Sequence, residues 1–122
     1  NRMTNYSPYR STVTDETLVK FLNEDVKFNL TSVPGIGPAA QKSLSNKGVK
    51  NTFQLIALFL QYKEEDGDDC VAHCTNFFNF LHEAGIKGNR HSITKSIAEK
   101  VAISFPNLYV ESQFKSMEED NV

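Results

Sequence analysis

The residues best suited to chemistry are two glycines that flank one apolar residue, in the tetrapeptide Gly35-Ile36-Gly37-Pro38. Glycine permits a tight turn that no side chain obstructs, and proline is favoured at the first position of a helix. We expect Ile36 to enter the core and fix the turn. The backbone amides from Gly37 to Ala40 then point outward at the positive end of a helix dipole, an arrangement that binds anions. Such a site recognises phosphate rather than base sequence.

Charge is distributed unevenly along the chain, and the stretches without acids include this turn. The net charge is −2, but acidic runs at residues 64–69 and 118–120 contain eight of the fifteen acids. The rest of the chain contains all thirteen Lys and Arg but only seven acids. No acid lies within residues 27–63 or 84–98. Phosphate binding depends on a segregated basic face rather than on net charge. The pattern therefore favours a nucleic-acid partner.

Helical periodicity and capping residues predict an all-α fold, a compact bundle of about five short helices. Thr14 is a suitable N-cap for the first helix, and Pro106 ends the last. The segment over residues 52–63 is apolar nearly all round, which predicts the most buried helix. The expected helical segments are residues 14–24, 28–33, 38–48, 52–63, 69–83 and 89–105.

The length of 122 residues favours one domain. Residues 1–13 lack periodicity and are expected to form a flexible arm, residues 14–106 the helical domain, and residues 107–122 a tail that is either a loose helix or disordered. No apolar run approaches the roughly 20 residues that span a bilayer, and the first residues lack a secretory apolar segment. An intracellular protein without membrane contact is expected.

The stretch from Leu30 to Leu44, with the Lys47–Leu55 segment that follows, resembles a helix-hairpin-helix motif. The resemblance implies non-catalytic, sequence-independent binding of double-stranded DNA through the hairpin backbone. It also implies a monovalent cation, K⁺ or Na⁺, at carbonyls of the turn. The implied DNA contacts are Gly35, Ile36, Gly37, Ala39 and Ala40, with Gln41 and Lys42 as further side-chain contacts one turn along the helix. The implied cation ligands are the carbonyls of Thr31, Val33 and Ile36.

Over residues 15–105 the order of features is similar to that of the barrier-to-autointegration factor family, small chromatin proteins. A short helix precedes the hairpin, an apolar helix follows it, and a glycine turn introduces the last helix. The likeness implies a nuclear location, a homodimer that bridges DNA, and a protein partner for the acidic or aromatic tail. Asp15 and Glu16 oppose the DNA contact that the family makes at its first helix. The implied contacts before the last helix are Lys87, Gly88, Asn89 and Arg90.

The alternative is a SAM-like protein-interaction module without DNA binding, in which the glycine turn only connects packed helices. Salt distinguishes the two hypotheses. Binding through phosphate weakens steeply as the salt concentration rises, whereas an apolar interface responds little.

Cys70, His73, Cys74 and His82 share one predicted helix and have the side chains that bind zinc. Cys74 also belongs to an apolar stripe, in which free cysteine is usually a small buried hydrophobe. We therefore expect both cysteines to be reduced and metal-free. A disulfide across four residues of one helix is geometrically unfavourable. Ser, His and Asp form no pattern of nucleophile and base, so the chain is not expected to be an enzyme.

Overall fold

The computed structural model describes residues 5–64 and 69–115, and all regular structure within these ranges is helical. The all-α prediction is confirmed. None of the helices in these ranges has the length and apolar character needed to cross a membrane. The α-helices are α1 (Asp15–Asn23), α2 (Pro38–Asn46), α3 (Thr52–Gln61), α4 (Cys70–Glu83) and α5 (Arg90–Ser104). Short 3-10 turns occupy Pro8–Arg10, Leu30–Ser32, Pro106–Leu108 and Glu111–Phe114.

The helices begin and end where local side chains can satisfy their terminal backbone groups. The side chains of Thr14, Asn51 and Asp69 each accept a hydrogen bond from the amide three residues ahead, at the starts of α1, α3 and α4. Gly48 and Gly85 have φ of +86° and +92°, and they end α2 and α4 in the left-handed conformation that favours glycine. The observed bounds lie within two residues of the expected ones.

The central helix is α5, and the prediction that residues 52–63 form the most buried helix is wrong. Helix α5 packs against α1, α3 and α4 and contributes seven buried residues, whereas α3 contributes three. On α3, Phe53 is 53% exposed. Short side chains such as Ser92 and Ser96, both buried, let neighbouring segments approach α5 from several sides. Burial follows the number of packing partners, which the hydrophobicity of one segment does not determine.

A flexible arm was expected over residues 1–13, but residues 5–13 pack against the helices, and residues 1–4 lie outside the described residues. The Tyr6 side chain is fully buried, and its hydroxyl lies 2.9 Å from that of Tyr109 in a hydrogen bond. The ring of Tyr6 meets the ring of Phe114 edge-on at 5.4 Å. Burying aromatic rings contributes enough apolar area to order a segment that has no helical periodicity.

The segment after α5 also packs on the core. The side-chain oxygen of Gln113 accepts hydrogen bonds from the amide and the thiol of Cys70, both at 3.1 Å. These bonds join residues 107–115 to the start of α4. We expected residues 107–122 to form a loose helix or a disordered tail, but residues 107–115 pack on the core. Residues 116–122 lie outside the described residues.

The packing of this segment predicts opposite effects for two phenylalanines that follow α5. Phe114 is fully buried and Phe105 is 54% exposed. Phe114→Ala should lower the free energy of unfolding by about 3–5 kcal/mol, the usual cost of removing a buried phenylalanine. Phe105→Ala should change it by less than about 1 kcal/mol. Urea unfolding of both variants checks this, and equal effects would contradict the packing of the C-terminal segment.

Candidate functional site

The turn before α2 has the backbone geometry that its glycines allow. Gly35 has φ of +95°, in the left-handed region. Ile36 is 5% exposed and packs in the core, while its amide donates to the Val33 carbonyl at 3.0 Å. We call residues 33–40 the hairpin. Its apolar residue points inward, so its outer surface is formed largely by backbone.

The start of α2 presents amides that no side chain of the hairpin caps. Gly37 is the N-cap, with φ of −98° and ψ of −172°, and the amide of Gln41 donates to its carbonyl at 2.9 Å. The amides of Ala39 and Ala40 precede that bond and belong to the first turn, which has no intrahelical acceptors. A Cβ atom added at Gly37 would have nothing within 4 Å. An anion can therefore approach these amides closely.

A second glycine turn, at residues 85–89, lies directly against the hairpin. A Cβ atom on Gly35 would lie 3.0 Å from Cγ1 of Ile93 and 3.2 Å from Cβ of Asn89. Asn89 itself has φ of +64° and precedes α5. Between the two turns lies an open groove of about 520 Å³, here called the hairpin groove. Its lining includes Gly37, Ala39, Ala40, Lys87, Gly88 and Asn89.

Both lysines that were expected to contact DNA are exposed. Lys87 lines the hairpin groove, and Lys42 lies on α2 one turn beyond its start. Neither ammonium group makes a hydrogen bond or ion pair with any residue in the described ranges. Both charges are thus free to bind an anion.

Two other expected contacts bond within the protein. The Arg90 guanidinium donates to the Ile86 carbonyl at 2.6 Å and lies 5.5 Å from the centre of the Phe78 ring. The Gln41 amide group donates to the side-chain oxygen of Asn29 at 3.0 Å. The Arg90 side chain therefore stabilises the second turn, and the Gln41 side chain joins α2 to Asn29. Neither side chain extends toward a ligand.

Asn29 is a residue that sequence reasoning missed. Its side-chain oxygen accepts hydrogen bonds from the amide and the hydroxyl of Thr31, both at 2.9 Å, as well as the bond from Gln41. These bonds tie the Leu30–Ser32 turn to α2 across the hairpin. The signal was present, because asparagine is one of the preferred N-cap residues.

The hairpin carbonyls have the chemistry that a monovalent cation requires. Backbone carbonyl oxygens are the ligands that replace the hydration shell of K⁺ in ion channels. The carbonyl of Val33 accepts the amide of Ile36 and retains a second lone pair. Thr31, Val33 and Ile36 therefore fit the implied K⁺ or Na⁺ in donor type.

Cys70 and Cys74 are both buried and unbridged, and burial raises the pKa of each thiol. Within the described ranges, no group of three or more His, Cys, Asp and Glu side chains could hold a metal ion. His73 is buried, and its Nε2 atom lies 2.7 Å from the carbonyl of Phe59, to which it donates. The reduced, metal-free state of the cysteines stays a prediction.

Comparison of the chain with protein-family models, with curated proteins and with solved structures finds no match. The function is therefore argued from the geometry of the hairpin, the adjoining turn and the lysines beside them.

The two glycines of the hairpin should differ in their tolerance of a side chain. Gly35→Ser places a Cβ atom at positive φ against Ile93 and Asn89, and should lower the free energy of unfolding by about 1–3 kcal/mol. Gly37→Ser meets open space in extended backbone and adds a good N-cap, so stability should be unchanged or slightly higher. Thermal unfolding of both variants checks this; a stable Gly35→Ser protein would disprove the contact with α5.

His91, in the first turn of α5, should make stability depend on pH. Its Nδ1 atom accepts the Ser7 amide at 3.2 Å. Burial, followed by the charges of Arg10 and Arg90, lowers the pKa of His91 from 6.5 to about 4. As the pH falls from about 6.5 toward 4, His91 therefore takes up a proton in the unfolded chain but stays neutral in the folded chain. Stability is fully present above this window and is lost within it.

Allowing for the partial exposure of His91, we expect a loss of about 1 kcal/mol between pH 7 and pH 5. His91→Gln removes the titrating group and is the matched control for the remaining titrations. Urea unfolding at both pH values measures the difference. Equal losses in the two proteins would show that His91 does not contribute.

Proposed function

We propose that this chain binds double-stranded DNA without catalysis and largely without regard to base sequence. A phosphate group is bound by the backbone amides at the start of α2. The observation that carries this proposal is the uncapped, sterically open start of α2 at Gly37, which lines the same groove as the unpaired Lys87. Lys42, also unpaired in the described ranges, lies one turn further along α2.

The energetics favour several weak contacts over one strong site. An anion at a helix N-terminus gains roughly 0.3–1 kcal/mol at an exposed position. This is too little for binding by itself, so counterion release at Lys42 and Lys87 has to supply the rest. The affinity should then depend strongly on salt concentration, as it does for proteins that bind the DNA backbone.

The chemistry of the site supports binding without sequence preference. Bases are distinguished by side chains that reach their edges in a groove of the duplex, whereas phosphate contacts only position the protein. Glycine and alanine make up just over half of the lining of the hairpin groove, which also includes Lys87 and Asn89. Gln41, a side chain suited to base contacts, is bonded to Asn29. Bridging of DNA by a homodimer, a nuclear location and a protein partner at the tail are further proposals, based on the family resemblance.

One observation favours the alternative, a protein-interaction module. Phe28 and Phe53 are 68% and 53% exposed, and the amide of Thr52 donates to the Phe28 carbonyl at 3.0 Å. Two exposed aromatic side chains thus emerge from adjacent backbone. Exposed aromatic side chains are common in protein interfaces.

Gly37→Glu tests the proposed DNA site directly. It places a negative charge where the phosphate is proposed to lie, and the open space around Gly37 lets the variant fold. Affinity for unrelated duplexes should fall at least tenfold, equivalent to about 1.4 kcal/mol. Gel-shift titrations at two salt concentrations measure this loss, with circular dichroism as the folding control.

Gly37→Gln is the control for charge, since it adds similar bulk without a charge and should weaken binding less than Gly37→Glu does. A folded Gly37→Glu protein with the affinity of the wild type would show that the hairpin is not the DNA site. The protein-interaction module would then be the better hypothesis.

A further inference from the structure

A second groove adjoins the hairpin on the side of α1. It has a volume of about 540 Å³ and is here called the α1 groove. Its walls include Lys20 from α1, Glu24 directly after α1, Lys27, and residues 31–37. Gly35, Gly37 and Asn89 line this groove and the hairpin groove alike. The two grooves therefore meet at the start of α2.

Lys20 is the charged group of the α1 groove that has no partner in the described ranges. Its side chain is exposed and makes no hydrogen bond or ion pair there. The Lys27 ammonium, in contrast, lies 3.4 Å from the Glu24 carboxylate. The hydroxyls of Thr31 and Ser32 both donate to Asn29 and have no further hydrogen to offer. Lys20 is therefore the unpaired cation that a ligand in this groove would meet.

We propose that the α1 groove accepts a neighbouring phosphate of the same DNA strand that is bound at the start of α2, with Lys20 as the contact. This inference rests on the proposed function. Phosphates along one strand follow at about 3.4 Å of helix rise, so a strand held at one point presents further phosphates on both sides. Lys20 lines only the α1 groove and Lys87 only the hairpin groove. The strand would run from Lys20 past Gly37 to Lys87.

This path gives α1 a role that its first residues cannot have. Asp15 and Glu16 occupy the first turn of α1, where their charges repel phosphate. Lys20 lies in the last turn of the same helix. Lys100 donates to the carbonyls of Phe21 and Leu22, both at 3.0 Å, and so fixes that end of α1 on α5. The contact with DNA thus moves to the opposite end of the helix.

Glu24 lines the α1 groove and opposes an anion there, which provides a test in the opposite direction. Glu24→Gln removes a negative charge and releases Lys27 from its ion pair. Affinity for DNA should therefore rise, by about two- to threefold at low salt. A groove that takes no part in binding would give no such gain beyond that of neutralising an exposed acid that lines neither groove, such as Glu64.

The decisive experiment compares Lys20→Ala with Lys47→Ala. Lys47 caps α2 at its far end, is exposed and lines neither groove, so the two variants remove the same charge from different places. Fluorescence anisotropy with a labelled duplex, from low to moderate salt, gives the affinity and its salt dependence. Lys20→Ala should weaken binding about three- to tenfold and lower the slope of log affinity against log salt by about 0.9. Lys47→Ala should change the affinity by less than about twofold and leave the slope unaltered.

The outcomes separate this inference from the proposed function. Equal affinities and slopes for Lys20→Ala and Lys47→Ala, while Gly37→Glu still abolishes binding, would overturn the α1 groove and leave the hairpin site intact. If the wild type fails to bind DNA, or Gly37→Glu binds as well as the wild type, both proposals are overturned. Thermal unfolding of each variant is the folding control for a loss of DNA affinity. Because both lysines are exposed, neither substitution should lower the stability.

Discussion

The contact between Gly35 and the start of α5 determines the arrangement of the candidate site. Gly35 has positive φ and faces Ile93 and Asn89 so closely that a Cβ atom would lie 3.0–3.3 Å from their atoms, tighter than side chains normally pack. Its lack of a side chain therefore allows the hairpin to touch the turn that precedes α5. Because of this approach, the start of α2 and Lys87 face one groove although they are far apart in sequence. Gly37 has a different role, since it leaves the outer surface open.

Helix α5 provides the frame on which this contact is held. Its Ser92 hydroxyl accepts a hydrogen bond from the amide of Thr12 at 3.0 Å, and Lys100 donates hydrogen bonds to carbonyls at the end of α1. His91 in the same helix accepts a hydrogen bond from the amide of Ser7, and its ring stacks against that of Tyr6. Polar side chains that would weaken an isolated amphipathic helix thus bind the segments that surround α5. The hairpin and both grooves are positioned by a helix that contributes none of the residues lining either groove.

The sequence predicted local features well and long-range packing poorly. Caps such as Thr14 and Asp69 fix helix ends through bonds to the next turn, so the bounds could be inferred without tertiary contacts. The burial of Tyr6 and the exposure of Phe53 depend on partners distant in sequence, which periodicity does not contain. For the same reason the direction of the Arg90 side chain was not predicted: its acceptor, Ile86, is one turn away, but its position over Phe78 requires the packing of α4 on α5.

Net charge is a poor guide to whether this protein can bind a polyanion. The chain carries −2, yet Glu24 is the one acid among the described residues that line either groove. Exposed charges separated by more than about 10 Å are largely screened at 0.1 M salt. In the proposed mode of binding, the charges near the phosphate matter, and Lys20 and Lys87 are the unpaired lysines that line the two grooves. A site built from several such weak contacts gains affinity by addition, and each contact makes the binding more sensitive to salt without adding preference for any base.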